Sequence, residues 1–253
     1  MKEKNIILVA VRLKSKRLNK KALLKLYNKP LILTLTERLK KSALSSEIVW
    51  CTSTNINDQP LEDLAKLNKI KIFRGSEKDV MSRFIEVGNL FKASNIIRVT
   101  GDNPLTDPNI IDYMIDKHID KKSEYTFCNT IPVGTRSEVI SLKMLEKCHN
   151  LLQDPDSTEY MTWMLNRPDY FKVQELQHPN KTINRPEISL TVDDVQDYKN
   201  VSEIYDYFEG KMPNLDKIIH FIDSKPNLLK NLTKSKISTI DKNKINYNFK
   251  NDR

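Results

Sequence analysis

The apolar positions of this chain form short, nearly unbroken runs that alternate with segments whose apolar residues recur at helical spacing. The runs at residues 5–11 (NIILVAV), 47–52 (EIVWCT) and 95–100 (NIIRVT) have the length and the β-branched content of buried strands. Strands buried on both faces occur mainly in parallel sheets with helices on either side. The alternation therefore predicts an α/β protein with a doubly wound, mostly parallel sheet.

The same pattern assigns further elements. Leucines at helical spacing predict a helix over residues 30–41. Ser76 is suited to cap a helix that runs to about residue 91. The other predicted strands cover residues 70–73, 125–129 and 188–192, and the other predicted helices cover residues 58–67, 107–117, 195–208 and 211–223.

The regular alternation breaks after residue 141. We interpret the segment at about residues 141–187 as an insertion that does not simply extend the sheet and that serves as a substrate lid or a dimer arm. Its predicted elements are a short helix to residue 148, a helix over residues 158–165 and a strand over residues 171–176.

The chain is accordingly divided into two parts. A main domain spans residues 1–223 and contains the insertion, and a basic, Lys- and Asn-rich tail spans residues 224–253. We expect the tail to be partly helical at first and loosely ordered at its end, because its apolar spacing is weak.

A strongly basic segment, residues 11–21, begins where the first buried strand ends. Ligands of open parallel sheets bind at the carboxyl ends of the strands, and crowded cations repel one another unless an anion joins them. The alternative is a solvated basic loop, since Lys and Arg are usually exposed. The segment lacks the glycines and the Gly-Lys-Ser/Thr ending of a Walker A motif. We predict a polyphosphate-binding loop of another type.

Carboxylates also follow the predicted strands. Asp102 directly follows one strand, and Asp193 and Asp194 follow another. Carboxylate oxygens suit a hard cation such as Mg²⁺. An Asx turn ahead of Pro104 is the alternative for Asp102, and one of the later pair is expected to cap the next helix. The pattern favours a metal site at the strand ends.

The formal charge of +9 is unevenly distributed. From Lys225 onward the chain carries +6, so the preceding body carries +3. No basic patch with interleaved aromatic residues is present, which argues against a nucleic-acid partner. The scattered Cys51, Cys128 and Cys148 lack metal-ligand spacing and are expected to be buried, reduced thiols. Without a long apolar run or a hydrophobic leader, we expect a cytoplasmic protein and no membrane insertion.

Several groups of residues, spaced along residues 5–208, form a specific combination although each is modest alone. The groups are Arg12, Ser15, Arg17, Leu18 and Lys21; Arg74, Gly75, Asp79, Val80 and Arg83; Arg98, Thr100, Gly101, Asp102, Pro104 and Leu105; Glu138 and Val139; and Thr191, Val192, Asp193 and Asp197. In order and spacing they resemble the cytidylyltransferases related to the spore coat polysaccharide biosynthesis enzymes, which are cousins of the CMP-Kdo and CMP-acylneuraminate synthetases.

The resemblance implies a Rossmann-like sheet of nucleotidyltransferase type. It implies a reaction in which an acceptor oxygen attacks the α-phosphorus of CTP and pyrophosphate departs, with Mg²⁺ as the cofactor. The implied acceptor is an acidic sugar or another small compound, such as a phosphorylated polyol or a phosphonate, used for surface-glycan assembly. A homodimer is expected, formed through the insertion.

The resemblance also assigns residue roles. The implied catalytic residues are Arg12, Lys21 and Asp102. The implied nucleotide-binding residues are Arg12, Ser15, Arg17, Lys21, Arg74, Gly75 and Asp102. The implied metal ligands are Asp102 and Asp193, and the implied acceptor-binding residues are Arg136, Glu138 and Glu159.

The chain departs from the family pattern in the basic segment. Lys14 replaces a glycine whose backbone approaches the phosphates, and Asn19 and Lys20 stand where Pro and Gly are common. Tyr160 stands where relatives often carry His. Two alternative functions therefore stay open: a non-catalytic nucleotide-binding homologue, and a glycosyltransferase that releases a nucleoside diphosphate instead of pyrophosphate.

Overall fold

A seven-stranded sheet forms the centre of the computed structural model, which describes residues 3–15, 17–156, 158–211, 213–233 and 248–250. The strands are β1 (Asn5–Ala10), β2 (Lys25–Leu26), β3 (Lys29–Pro30), β4 (Glu47–Ser53), β5 (Lys71–Gly75), β6 (Asn95–Thr100), β7 (Tyr125–Phe127), β8 (Glu138–Ser141) and β9 (Val173–Glu175). The sheet order is β5-β4-β1-β6-β8-β7-β9, while β2 and β3 form a separate small hairpin.

The direction of the strand pairs shows a mostly parallel sheet. Strand β1 pairs in parallel with β4 and β6, and β5 and β9 also pair in parallel with their neighbours. Strand β8 runs antiparallel to both β6 and β7. The predicted fold class is therefore confirmed, and the carboxyl ends of β1, β4 and β6 lie along one edge.

Helices cover both faces of the sheet. Their bounds are α1 (Leu31–Leu39), α2 (Gln59–Leu67), α3 (Val80–Leu90), α4 (Pro108–Lys121), α5 (Leu142–Leu151), α6 (Met161–Leu165), α7 (Val195–Tyr207), α8 (Leu215–Asp223) and α9 (Pro226–Leu232). Alternating residues of β1 enter different cores: Ile7 and Val9 pack with α1, α4 and α7, whereas Ile6 and Leu8 pack with α3 and α5. Burial on both faces explains why this strand is an unbroken apolar run.

The predicted strand over residues 188–192 is wrong. Among the residues that the structure describes, this segment makes one isolated parallel bridge, between Ser189 and Val133, and joins no ladder of the sheet. Its apolar side chains Ile188, Leu190 and Val192 are nevertheless fully buried. The apolar pattern reported burial correctly, but burial alone does not supply a strand partner.

The later part of the chain packs closely against the sheet. Within the segment interpreted as an insertion, β9 adds an edge strand by pairing with β7. At the start of the tail, α9 buries Leu228 and Leu232 in the same core as the main domain, and the division of the chain at residue 224 stays a prediction. The loosely ordered end that we expected lies mostly outside the described residues, but Phe249 is fully buried beside Leu152.

The start of α3 differs from the prediction as well. Asp79, not Ser76, caps this helix by accepting a hydrogen bond from the Ser82 N–H at 3.0 Å. Ser76 supports the cap from outside, since its hydroxyl accepts the Asp79 N–H. The three cysteines are buried, as predicted. Within the described ranges, none of the helices has the length and hydropathy of a membrane span.

Candidate active site

The basic segment forms a loop that Asp58 fastens to the end of β4. One Asp58 carboxylate oxygen accepts the Leu13 N–H at 2.7 Å, and the other accepts the hydroxyls of Thr52 and Ser53. The loop turns at Lys20, which has a left-handed backbone (φ 49°). Because Asp58 is buried, these bonds fix where the loop leaves the sheet.

Asp102 and Asp193 are brought together by a backbone contact between their segments. The Val192 N–H donates to the Asp102 carbonyl at 2.9 Å. The Thr100 hydroxyl donates to Asp102 Oδ1 at 2.6 Å and leaves Oδ2 directed elsewhere. Asp193 therefore reaches the site without a preceding strand, which corrects the reason for its prediction but not its position.

The helix after Asp193 is capped by its neighbour. Asp194 accepts the Asp197 N–H at 2.9 Å, and the Asp197 carboxylate accepts the backbone N–H groups of Asp193 and Asp194. Of the two neighbours Asp193 and Asp194, one is thus structural, as predicted. This capping box fixes the backbone of Asp193 and leaves its side chain for the site.

The Lys21 ammonium lies between the two predicted metal ligands. Its Nζ is 2.7 Å from Asp102 Oδ2 and 3.0 Å from Asp193 Oδ1. Burial alone lowers the pKa of Lys21, but the two carboxylates outweigh it and hold that pKa above its ordinary value. Burial raises the pKa of Asp102, but the attraction of Lys21 together with the hydrogen bonds from Lys21 and Thr100 outweighs it and holds that pKa below the ordinary value. Lys21 and Asp102 are therefore both charged near neutral pH.

The arginines of the loop also face carboxylates. Arg17 is 3.2 Å from Asp193 Oδ1, and Arg12 is 2.6 Å from Glu159 Oε2. Both arginine side chains are more than 40 % exposed. Tyr160, next to Glu159, lies within electrostatic reach of both arginines, and burial followed by Glu159 raises its pKa. The predicted phosphate-binding cations are thus clustered and accessible.

Two further loop residues occupy the rim. The Ser15 hydroxyl accepts the Leu18 N–H at 3.4 Å, a long contact within the turn. Lys14 is 3.3 Å from Glu77 and is largely exposed. Lys14 is outside the residues with positive φ, so the loss of the family glycine at this position causes no left-handed strain.

Arg74 and Gly75 have structural partners at the end of β5. The Arg74 guanidinium donates to Gln59 and to the carbonyls of Ser53 and Asn55, and it pairs with Glu62 at 2.7 Å. A Cβ added at Gly75 would lie 2.6 Å from the Arg83 side chain, which explains the glycine by lack of space. Their assignment to nucleotide binding stays a prediction.

The predicted acceptor residues Arg136 and Glu138 bond to other groups of the protein in the structure. Arg136 donates to the carbonyls of Asn129 and Ile131. Glu138 is buried, pairs with Arg98 and accepts the hydroxyls of Tyr125 and Thr162.

The Arg98 side chain of this pair also donates to the Glu159 carbonyl at 3.3 Å, which ties the pair to the Arg12 contact. Burial raises the pKa of Glu138, but Arg98 and the two hydroxyls outweigh it and lower that pKa overall. The acceptor roles stay predictions.

Comparison with known proteins places this architecture in a family. A cytidylyltransferase family model matches residues 6–238. The chain belongs to the cytidylyltransferase family. Among its relatives, the spore coat polysaccharide biosynthesis protein SpsF of Bacillus subtilis is 32 % identical over 79 % of this chain and 85 % of its own length. Membership of this family supports a nucleotidyl-transfer activity in which CMP is transferred from CTP.

Two further cytidylyltransferases are similar to this chain. The 3-deoxy-manno-octulosonate cytidylyltransferase of Chloroherpeton thalassium is 27 % identical over 73 % of this chain and 70 % of its own length. A cytidylyltransferase structure from Leptospira borgpetersenii superposes with a TM-score of 0.81 at 26 % identity, covering 94 % of this chain and 99 % of that one. The fold of this family member is thus shared along nearly its whole length.

Asp102 and Asp193, called the aspartate pair below, suit the divalent cation that a cytidylyltransferase is expected to use. Mg²⁺ is commonly held by one or two carboxylates together with substrate phosphates, and does not need a cage of protein ligands. Asp102 and Asp193 supply two oxygens near one point, and the described residues contain no cluster of three or more acidic, His or Cys side chains that would form such a cage. The donor set therefore fits.

Sequence reasoning gave no site role to several residues that position the site, although Thr100 and Asp197 belong to the groups that carry the family resemblance. Asp58 was placed only at a helix start, yet it anchors the loop, and Thr100 and Asp197 orient the aspartates. Thr100 had a local signal, because it stands two residues before Asp102. Asp58 acts on Leu13 from 45 residues away, so no local pattern reports its role.

Proposed function

We propose that this chain is a Mg²⁺-dependent cytidylyltransferase that transfers CMP from CTP to an acidic sugar or a related small acceptor for surface-glycan assembly. The observation that carries the proposal is the convergence of Lys21, Asp102 and Asp193 at the carboxyl edge of the sheet. It joins a cation for phosphate with two oxygen ligands for a metal, and family membership supplies the nucleotide.

The loop cations have the first role in this reaction. Arg12, Arg17 and Lys21 would hold the β- and γ-phosphates, the arginines through their donor forks and the lysine as a point charge. Displacement at phosphorus needs in-line positioning and neutralisation of charge more than a covalent nucleophile. Fixed cations around the departing pyrophosphate meet both needs.

The aspartates have the second role. Asp102 and Asp193 would hold the Mg²⁺ ion, which when bound would neutralise negative charge on the triphosphate. Thr100 orients Asp102, and the capping box of α7 fixes the backbone of Asp193. These contacts support the assignment because they fix the carboxylates before the substrate arrives.

The acceptor is proposed from the relatives and from the chemistry of one rim of the site. The names of two relatives refer to spore coat polysaccharide and to 3-deoxy-manno-octulosonate, which is an acidic sugar. Glu159 and Tyr160 lie beside Arg12 on the rim, and Arg136 and Glu138 remain assigned to this side. We also propose a homodimer, which light scattering of the purified protein tests directly.

The activity is tested by pyrophosphate release. The protein is incubated with CTP and Mg²⁺ against a panel of acidic sugars, phosphorylated polyols and phosphonates, with neutral sugars and UTP as controls. We expect release with CTP and at least one acidic acceptor. Asp102→Asn is expected to lower the rate about 100-fold, whereas Asp63→Asn, an exposed acid of α2, leaves it unchanged.

The contrary result is equally defined. Absence of pyrophosphate across the panel, together with unchanged CTP binding by Asp102→Asn in titration calorimetry, contradicts the proposal. CTP binding without turnover favours the non-catalytic homologue instead. Release of a nucleoside diphosphate from nucleotide sugars identifies a glycosyltransferase.

A further inference from the structure

Lys21 has two incompatible partners in the proposed reaction. In the structure its ammonium bridges Asp102 Oδ2 and Asp193 Oδ1. The proposed function assigns the same ammonium to a phosphate of CTP and the same two oxygens to a divalent cation. One positive charge therefore already occupies the place where the metal charge is needed.

The Asp102 carboxylate and the Asp193 backbone are held by groups other than Lys21. Asp102 is oriented by Thr100, and its carbonyl binds the Val192 N–H, which places the next residue, Asp193, alongside. The Asp193 backbone is held by Asp197. If the lysine charge were removed, two carboxylates would still face one another, and their repulsion would favour any cation that entered between them.

We propose that Lys21 is an internal counter-ion for the aspartate pair, so that metal and triphosphate bind as a coupled pair. A divalent cation that enters alone meets the ammonium and binds weakly. When a triphosphate enters with it, Lys21 has a new anionic partner and leaves the carboxylates to the metal. This role rests on the proposed function and adds that free metal binds the nucleotide-free protein poorly.

The surroundings of Lys21 are suited to such an exchange. Its side chain is 16 % exposed, so it lies at the floor of an accessible site and not within the core. Four methylene groups allow the ammonium to move while the backbone stays in place. Arg17, which shares Asp193 Oδ1 and is far more exposed, can turn to the phosphates in the same way.

The test measures Mn²⁺ binding to the full chain without nucleotide, by the loss of the free-ion signal in electron paramagnetic resonance. Lys21→Met is expected to raise the Mn²⁺ affinity about tenfold or more over the wild type. Lys21→Arg keeps the charge and is expected to match the wild type. Lys20→Met removes an equal charge one residue away and controls for the general field of the loop.

The location of the gained site is tested by a double variant. Adding Asp102→Asn to Lys21→Met is expected to abolish the gain. Thermal unfolding supplies a second readout: Lys21→Met is expected to unfold at a lower temperature than the wild type and to recover as Mn²⁺ is added, because a ligand that binds the folded state stabilises it.

Several outcomes overturn the inference. Equal Mn²⁺ affinity of Lys21→Met and the wild type does so, and so does an equal gain in Lys20→Met. If Lys21→Met fails to fold, the wild type decides alone, since Mn²⁺ binding that is equally tight without and with CTP excludes the coupling.

The inference and the proposed function fail separately. A gain in Mn²⁺ affinity by Lys21→Met supports the counter-ion role even if no form of the protein binds CTP. In that case the hypothesis of cytidylyl transfer is contradicted. If the wild type binds CTP but Lys21→Met shows no gain in Mn²⁺ affinity, the counter-ion role fails while the proposed function stands.

Discussion

Two regions of this protein use the same chemical pairs for opposite purposes. At the strand ends, Arg17 and Lys21 meet Asp193 with the arginine more than half exposed. Where α1 meets the starts of α4 and α8, Arg38 of α1 pairs with Asp107 and both side chains are at least 96 % buried. The open pairs are accessible enough to exchange partners, whereas the sealed pair is shut off from solvent.

The difference lies in how many further bonds each group makes. Arg38 also donates to the carbonyls of Thr106 and Pro213, and Asp107 also accepts the N–H groups of Asn109 and Leu215. Every one of these bonds would have to break before the pair could separate. Arg17 has the Asp193 contact at 3.2 Å and wide exposure to solvent. An ion pair can therefore exchange partners when its cation is accessible and its other contacts are few, although such a pair also occurs away from the site, as Lys29 and Glu37 show.

The largest expected effect is a difference in stability between two variants, one that lacks the sealed Arg38 and one that lacks the open Arg17. Arg38→Met leaves the Asp107 carboxyl group buried without its cation, so we expect the free energy of unfolding to fall by about 3–5 kcal/mol. Arg17→Met removes an exposed partner and is expected to cost at most about 1 kcal/mol. Urea unfolding of both variants measures the contrast, and similar losses in the two would abolish the distinction between sealed and open pairs.

A sealed polar group that stays neutral gives the next effect. Burial lowers the pKa of His118 from 6.5 to about 4, and its Nδ1 lies 2.8 Å from the Thr126 hydroxyl. As the pH falls, His118 therefore takes up a proton in the unfolded chain at a higher pH than in the folded one. The contribution of neutral His118 to the free energy of unfolding is fully present above pH 6.5. It is lost as the pH falls from 6.5 to 4, and the loss amounts to about 3 kcal/mol.

His118→Gln checks this pH dependence, because glutamine does not titrate. Urea unfolding at several pH values is expected to show a smaller decline between pH 6.5 and pH 4 in the variant, whatever its stability at neutral pH. An equal decline in both proteins assigns the acid sensitivity to other groups.

The open region is expected to respond in ligand binding. Arg17→Met is expected to weaken CTP binding about tenfold, since a charge-assisted hydrogen bond to phosphate is lost. Lys29→Met, which removes an exposed pair with Glu37 away from the site, is expected to bind CTP normally. Titration calorimetry gives both values, and undiminished affinity in Arg17→Met removes this residue from the nucleotide site.

The smallest effect concerns the backbone of the open loop. Lys20 has a left-handed conformation (φ 49°) at a position where the family commonly carries glycine. Lys20→Gly is expected to stabilise the protein by up to about 1 kcal/mol, because relief of strain exceeds the entropy cost of glycine. Lys40→Gly, at a right-handed position, is expected to destabilise it, and thermal unfolding separates the two signs.

The sequence predicted the sheet best where strands are central. Strand β6 was placed at its observed bounds, and β1 and β4 within one residue, because burial on both faces leaves a continuous apolar run. Residues 188–192 have the same composition and were predicted wrongly. Their backbone partners include Val133 and Asp102, and such distant partners leave no periodic trace.

The site was predictable where chemistry and position coincide. Lys21, Asp102 and Asp193 were identified by residue type at strand ends and by resemblance, and they do converge. The assignments of Arg74 to the nucleotide and of Glu138 to the acceptor stay predictions, and the polar atoms of both residues bond within the fold. A charged residue in a loop motif looks the same in sequence whether it faces a ligand or a neighbouring loop.

The long chain separation between the partners of the site has a consequence for the order of folding. Lys21 and Asp193 are 172 residues apart, and β1 gains its second neighbour only when β6 is made. During synthesis, the basic loop therefore emerges long before its carboxylates, and early contacts must form elsewhere. The nascent chain acquires its sheet first and its paired charges last.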